Sequence, residues 1–204
     1  MLVAVAAFAL AAVVVILFPG PDTLVVLRSV LRGGRRRGAS AAAGVLTGLT
    51  IWIAVAALGL AAVLRASELA YNVLRIAGGC YLVWLGVQSL RSMLRHEQAP
   101  EQGRGGIVGT GFFAGLVTNL LNPKVGVFFV TFLPGFIPHG YPVGVMSLLL
   151  GAVFVVLTVA YYLLLLASAA RLVDWMATPR IRRRLDAVTG FVLVGFGVRL
   201  AAEV

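Results

Sequence analysis

Long apolar runs separated by short polar connections fill the 204-residue chain. A bilayer core needs roughly 20 apolar residues per helix, and six runs of about that length are present. Apolarity within each run is continuous and does not alternate with a period of two, which predicts α-helices and not the strands of a barrel. The chain is therefore predicted to be an all-α polytopic membrane protein. The six predicted spans are residues 2–27, 39–64, 71–90, 107–133, 143–170 and 185–200.

Composition supports a membrane protein and predicts its orientation. Apolar residues make up 61% of the chain, charged residues 12%, and the mean hydropathy is +1.02. A soluble domain of this length cannot bury so much apolar surface. The net charge of +10 comes from arginines in the first, third and fifth connections, which places these connections in the cytoplasm and both termini outside. No aromatic-interleaved basic motif is present, so we expect these arginines to meet anionic lipid and not nucleic acid.

The first run is interrupted by the sequence FPGPDT at residues 18–23. Proline lacks an N–H and clashes with the preceding turn, so the helix is predicted to break there. A shift of 102 residues aligns residues 20–22 (Gly-Pro-Asp) with residues 122–124 (Asn-Pro-Lys) inside the fourth run, and a shift of 111 aligns residues 74–79 with 185–190. Because each half has three spans, the halves are oppositely oriented. The sequence thus predicts a 3+3 inverted-topology repeat with broken helices in spans 1 and 4.

The predicted domains are a first three-helix repeat over residues 1–95, a cytoplasmic connection over 96–106 and an inverted repeat over 107–204. The first run lacks a basic leader and a cleavage site, so we expect it to stay as a span and not to be removed as a signal peptide. Small-residue pairs such as Gly44 and Gly48 favour close helix packing, within one chain or between the two chains of a homodimer.

Two charges stand directly after the breaks. Asp22 and Lys124 would each cost roughly 2.5–3.5 kcal/mol at a helix centre. Broken backbone inside a membrane is tolerated where it lines a cavity, so the sequence predicts a polar site shared by both breaks. For Asp22, a role as an acid in the first turn of a resumed helix is an alternative that fits the same position.

We expect the ligand of this site to be a zwitterion such as an amino acid, because it satisfies both charges at once. Its ammonium would meet Asp22, while its carboxylate would meet Lys124 and the free N–H groups of the helix that starts at Pro123. Asp22 is also the expected proton carrier, since a buried carboxylate can be loaded from an ion gradient. Thr23 either lines the path or bonds back to its own helix. The candidate binding residues are Gly20, Pro21, Asp22, Thr23, Asn119, Asn122, Pro123 and Lys124.

Other chemistry finds little support in the sequence. No Ser–His–acid, HExxH or Walker motif occurs, so we expect no catalysis and no direct use of ATP. Cys80 is the single cysteine, and His96 and His139 lie in different connections, so neither a metal site nor a cofactor is expected. Aromatic residues such as Trp52, Tyr161 and Tyr162 are expected as interfacial anchors or core.

Three regions together resemble the lysine exporter superfamily (LysE/RhtB-type amino-acid exporters). They read FPGPDTLVVLRSVLRGGRRRGASAAAGVLTG, GGCYLVWLGVQSLR and GFFAGLVTNLLNPKVGVFFVTFLPGFI, and the likeness covers about residues 8 to 200. The resemblance implies multi-pass insertion in the bacterial inner membrane and export of amino acids or related metabolites, driven by the proton-motive force. Its functional residues map onto residues 20–22 and 122–124, and it favours the branch that handles neutral amino acids.

Three other functions remain open at this stage. Export of a metal cation occurs within the same superfamily, although thiolate and imidazole ligands are scarce here. A membrane enzyme acting on lipid headgroups would use Asp22 as its acid or base, and would need further polar residues at one interface. A structural subunit would need no polar cavity at all.

Overall fold

The computed structural model describes most of the first five apolar runs. All regular elements within the described residues are helical. The described residues are 1–17, 20–66, 68–94, 109–138 and 140–168, with positions 187, 190, 191, 194, 195, 197 and 198. The connection at 96–106, Pro19, His96, His139 and most of the predicted span 185–200 lie outside them.

The described fold consists of six α-helices, one π-helical turn, which is wider than an α-helix, and one 3-10 turn, which is tighter. Helix α1 ends at Leu17 and helix α4 ends at Leu120, each shortly before a proline, as the sequence predicts. A π-helical turn and a 3-10 turn continue α5 without a gap. The elements are α1 (Leu2–Leu17), α2 (Pro21–Ala66), α3 (Glu68–Leu94), α4 (Phe112–Leu120), α5 (Pro123–Val127), the π turn (Phe128–Phe132), the 3-10 turn (Leu133–Phe136) and α6 (Val143–Ala167).

Helix α2 reverses direction at a glycine pair. Gly34 has a φ of +72°, a left-handed conformation that glycine adopts without strain. A Cβ on Gly38 would collide with the side chain of Val30, whereas residues eight apart in a straight helix lie about 12 Å apart. The predicted connection between spans 1 and 2 is therefore a helical segment with a sharp turn. Arginine is a strong helix former, so the basic segment stays helical and the turn is confined to residues 33–34.

The membrane class predicted from composition is confirmed, and the span count stays a prediction. Two helices are long and apolar enough to cross a bilayer. They are the Pro21–Gly59 part of α2 and the whole of α6, Val143–Ala167. Phe112–Leu120 and Pro123–Phe136 form a pair bent by 54° that counts as a third span if the pair is one broken helix.

Glycines allow the close packing on which the site depends. Helix α2 packs against α4 and α6. A Cβ on Gly44 would collide with the backbone of Phe112, and a Cβ on Gly115 would collide with the backbone of Ala41. The two helices therefore touch backbone to backbone, as small-residue pairs in membranes predict. Beside this crossing, α1, the π turn and α6 share a cluster of stacked phenylalanine rings that includes Phe8, Phe128 and Phe154.

Candidate functional site

The first break leaves a backbone carbonyl without its usual helical partner. The carbonyl of Val15 would normally accept from the N–H of residue 19, but that residue is proline and has no N–H. The side chain of Lys124, which comes from the other half of the chain, supplies the missing donor. Its Nζ donates to the Val15 carbonyl oxygen at 2.7 Å. Lys124 thus joins the end of α1 to the start of α5.

The second break is held by an asparagine and a tryptophan. Asn122 caps α5, because its Oδ1 accepts from the Lys124 N–H at 3.1 Å and its carbonyl accepts from the N–H groups of Val125 and Gly126. Pro123 cannot donate to the carbonyl of Asn119 as the next turn of a helix would. That oxygen instead accepts from the Asn122 N–H at 3.0 Å and from the Trp52 indole at 3.4 Å. The expectation that N–H groups after Pro123 are free for a carboxylate is therefore wrong, because Asn122 already accepts from them.

The carboxylate of Asp22 lies between the two breaks. The side-chain amides of Asn119 and Asn122 each donate to its Oδ2 at 3.0 Å. Its other oxygen, Oδ1, is buried and has no hydrogen-bond partner among the described residues. The charges of Asp22 and Lys124 also act on each other electrostatically. Both breaks therefore contribute to one polar cluster that still has an unused acceptor.

This cluster forms one wall of a cavity of about 40 Å³. At about 10–15 Å³ for each water-sized probe, such a space holds about three water molecules. The polar wall includes Asp22, Thr23, Asn122, Lys124, Thr158 and Tyr161, and the apolar wall includes Val15, Ile16, Val45, Leu49, Val125 and Phe154. The cavity is thus amphipathic, and a ligand larger than a few waters requires it to widen.

Comparison with known proteins supports the resemblance seen in the motifs. The sequence model of the LysE type translocator family matches residues 13–204. The chain belongs to this family. It is 37% identical to the membrane protein PA4757 of Pseudomonas aeruginosa over 95% of this chain and 93% of that protein. It is also 31% identical to the leucine efflux protein of Klebsiella pneumoniae over 93% of this chain and 91% of that protein.

The family assignment settles the class of this LysE type translocator. It is a membrane-integral bacterial transport protein and not an enzyme, so the lipid-modifying alternative is dropped. A further relative, the membrane protein YrhP of Bacillus subtilis, is 30% identical over 92% of this chain and 93% of its own length. No solved structure matches the chain.

The structure of this translocator places the predicted site residues in three ways. Five of them line the cavity: Gly20, Asp22, Thr23, Asn122 and Lys124. Asn119 is fully buried behind the wall and touches the site through Asp22. Pro21 and Pro123 begin α2 and α5, where the missing proline N–H costs no helical hydrogen bond.

Several contributors were not among the predicted site residues. Tyr161 and Tyr162 line the cavity, and the Tyr161 hydroxyl donates to Thr23 at 3.4 Å. The carbonyl of Val15 was missed because main-chain acceptors leave no side-chain signal. Its position four residues before Pro19 could have identified it.

Gly48 was predicted only as a packing residue, and the structure shows that it leaves room for the side chain of Asn119. A Cβ at this position would lie 2.5 Å from Oδ1 and 3.0 Å from Cγ of Asn119. Trp52, one turn further along α2, packs its ring where a Cβ of Gly126 would lie. This face of α2 therefore holds Asn119 and the start of α5 in position against Asp22.

Proposed function

We propose that this translocator exports neutral amino acids with apolar side chains from the bacterial cytoplasm across the inner membrane. One observation carries the proposal: an acidic and a basic side chain from two broken helices meet at one amphipathic cavity. An amino acid neutralises both groups at once, with its ammonium on Asp22 and its carboxylate on Lys124. Isolated charges in a membrane interior are costly, so a ligand carrying both signs fits the site better than a cation or an anion.

The apolar wall supports a preference for aliphatic side chains. Val45 and Leu49 of α2, Val125 of α5 and Phe154 of α6 line the same cavity as the polar cluster. These residues offer an aliphatic group contact without any hydrogen-bonding partner. Relatives named leucine efflux protein, at 30–31% identity, agree with this preference.

Proton coupling through Asp22 completes the proposed cycle. Its carboxylate has one oxygen bonded by two amides and one buried oxygen without a partner. Binding a proton at Oδ1 removes the negative charge without disturbing the amide contacts at Oδ2. Substrate ammonium and proton then compete for the same carboxylate, which couples export to proton entry.

The two halves, residues 1–95 and 107–204, are proposed to form the inverted repeat around this cavity. Two reciprocal close approaches support it. A Cβ on Gly86 would meet the carbonyl of Gly190 at 2.8 Å, and a Cβ on Gly197 would meet the carbonyl of Gly79 at 2.6 Å. The sequence shift of 111 exchanges these pairs, since it maps Gly79 onto Gly190 and Gly86 onto Gly197. Such exchange is what a two-fold relation between the halves requires.

Counterflow in proteoliposomes tests the proposal. Vesicles loaded with unlabelled leucine should take up labelled leucine, with competition by valine and methionine but not by lysine or glutamate. Asp22→Asn and Lys124→Met should each abolish this exchange, whereas Arg36→Gln, at an exposed position of α2, should retain it. Wild-type rates in both cavity variants would contradict the assignment. Leucine efflux that continues unchanged after the proton gradient is collapsed would refute the coupling alone.

A further inference from the structure

The ammonium of Lys124 already occupies a position suited to a primary amine. It donates to the Val15 carbonyl at 2.7 Å, close to the C-terminal end of α1, where the helix dipole is negative. The Asp22 carboxylate attracts the same charge. A backbone carbonyl at a helix end together with a carboxylate is a favourable set of partners for a protonated amine.

The α-ammonium of an amino acid needs the same partners. Within the proposed function, this ammonium meets Asp22, whose Oδ1 still has no hydrogen-bond partner among the described residues. Val15 lines the same cavity, and its carbonyl accepts from the Lys124 ammonium, whose charge the Asp22 carboxylate also attracts. Lysine side chain and substrate therefore require the same acceptors.

We propose that the Val15 carbonyl and Asp22 form an ammonium subsite, that Lys124 fills it in the empty protein, and that the substrate displaces Lys124 from it. This inference rests on the proposed function, because it assigns the two ends of the substrate within the same cavity. Displacement frees the Lys124 side chain to meet the substrate carboxylate. Lys124 thus acts first as an internal competitor and then as a ligand.

The exchange explains how the site can distinguish an amino acid from a simple amine. A zwitterion brings a carboxylate that accepts the displaced Lys124, so both ammonium groups end with a partner. A primary amine brings none and leaves a lysine charge unpaired inside the membrane, where it is costly. The native protein should therefore exclude amines of the same shape as its substrate.

Equilibrium binding to purified protein tests this directly. The probes are leucine and 3-methylbutylamine, which is leucine without its carboxylate. Wild-type protein should bind the amine at least about 100-fold more weakly than leucine. Lys124→Met should bind the amine about tenfold more tightly than wild type and leucine about tenfold more weakly, as expected for one charge-assisted contact. Lys124→Arg is the matched control, because it keeps the positive charge and should continue to exclude the amine.

A second measurement uses only the wild-type protein, so it does not depend on the folding of a variant. Acetate supplied with 3-methylbutylamine replaces the missing carboxylate, and it should strengthen amine binding several-fold. Amine binding that is indifferent to both acetate and Lys124→Met would overturn the subsite. Equal binding of leucine and the amine by wild type would overturn it as well. Failure of wild type to bind leucine or any related amino acid would instead refute the proposed function.

Discussion

Gly48→Ala is the most discriminating substitution that the structure suggests. The added methyl group would lie 2.5 Å from Oδ1 and 2.9 Å from Cβ of Asn119, too close for either to stay in place. Asn119 is fully buried, so it relieves the overlap by moving its amide away from α2. That movement breaks the 3.0 Å hydrogen bond from Asn119 to Asp22.

The substitution is expected to affect binding as well as folding. Loss of a hydrogen bond to a charged group costs about 1.5–3 kcal/mol, which corresponds to about 10- to 150-fold if all of it appears in leucine affinity. Overpacking costs about 1–3 kcal/mol of folding free energy, and replacing a helical glycine by alanine returns up to about 1 kcal/mol. Gly48→Ala should thus bind leucine at least about tenfold more weakly, with a net loss of stability of about 3 kcal/mol or less.

Gly59→Ala provides the control, since it makes the same change on the same helix where a Cβ meets nothing within 4 Å. Leucine affinity and thermal unfolding in detergent should be measured for both variants. A double-mutant cycle with Asn119→Ala then isolates the mechanism. Because the Asn119 amide transmits the effect to Asp22, Gly48→Ala should have little further effect on binding once that amide is removed, although the methyl group still lies 2.9 Å from the Cβ that alanine keeps. Additive losses, or wild-type affinity in Gly48→Ala, would refute the reasoning.

Three further substitutions test other contacts. Gly115→Ala would drive a methyl group into the backbone of α2, and backbone cannot move aside as a side chain can, so the loss of thermal stability should exceed that of Gly48→Ala. Trp52→Phe keeps an aromatic ring but removes one of two donors to the Asn119 carbonyl, which still accepts from the Asn122 N–H. Because the lost bond is long, the free energy of unfolding should fall by less than about 1 kcal/mol. Tyr161→Phe removes the 3.4 Å contact to Thr23. Such a long bond contributes little, so leucine affinity should change less than about threefold, and a large loss would show that the hydroxyl contacts the substrate itself.

The breaks and the residues gathered around them could be anticipated from sequence because proline has an unambiguous chemical effect. Each proline removes a donor, and polar groups inside a membrane must find partners. Asp22, Asn122 and Lys124 do lie together in the structure. Their individual bonds could not be anticipated. Lys124 bonds a main-chain oxygen of α1, and the N–H groups of α5 are taken by their own cap.

Two features could not be predicted by reading the chain locally. The arginine-rich segment was predicted only as a cytoplasmic connection, and its helical form arises because arginine favours helix and only Gly34 adopts a positive φ there. Gly48 and Trp52 were predicted as packing or anchor residues because their roles depend on how α2 crosses α4. That crossing sets which side chain faces which carbonyl, and it follows from tertiary packing and not from periodicity.

The bond between Lys124 and Val15 has a consequence for biosynthesis. Val15 and Lys124 are separated by 109 positions, and a ribosome adding about 5–20 residues per second needs roughly 5–22 s to cover that distance. During this interval the first broken segment has no stabilising counterpart from the later half. We expect it to wait beside the insertion machinery or at the lipid surface, and to settle at its final depth only when the fourth hydrophobic segment arrives.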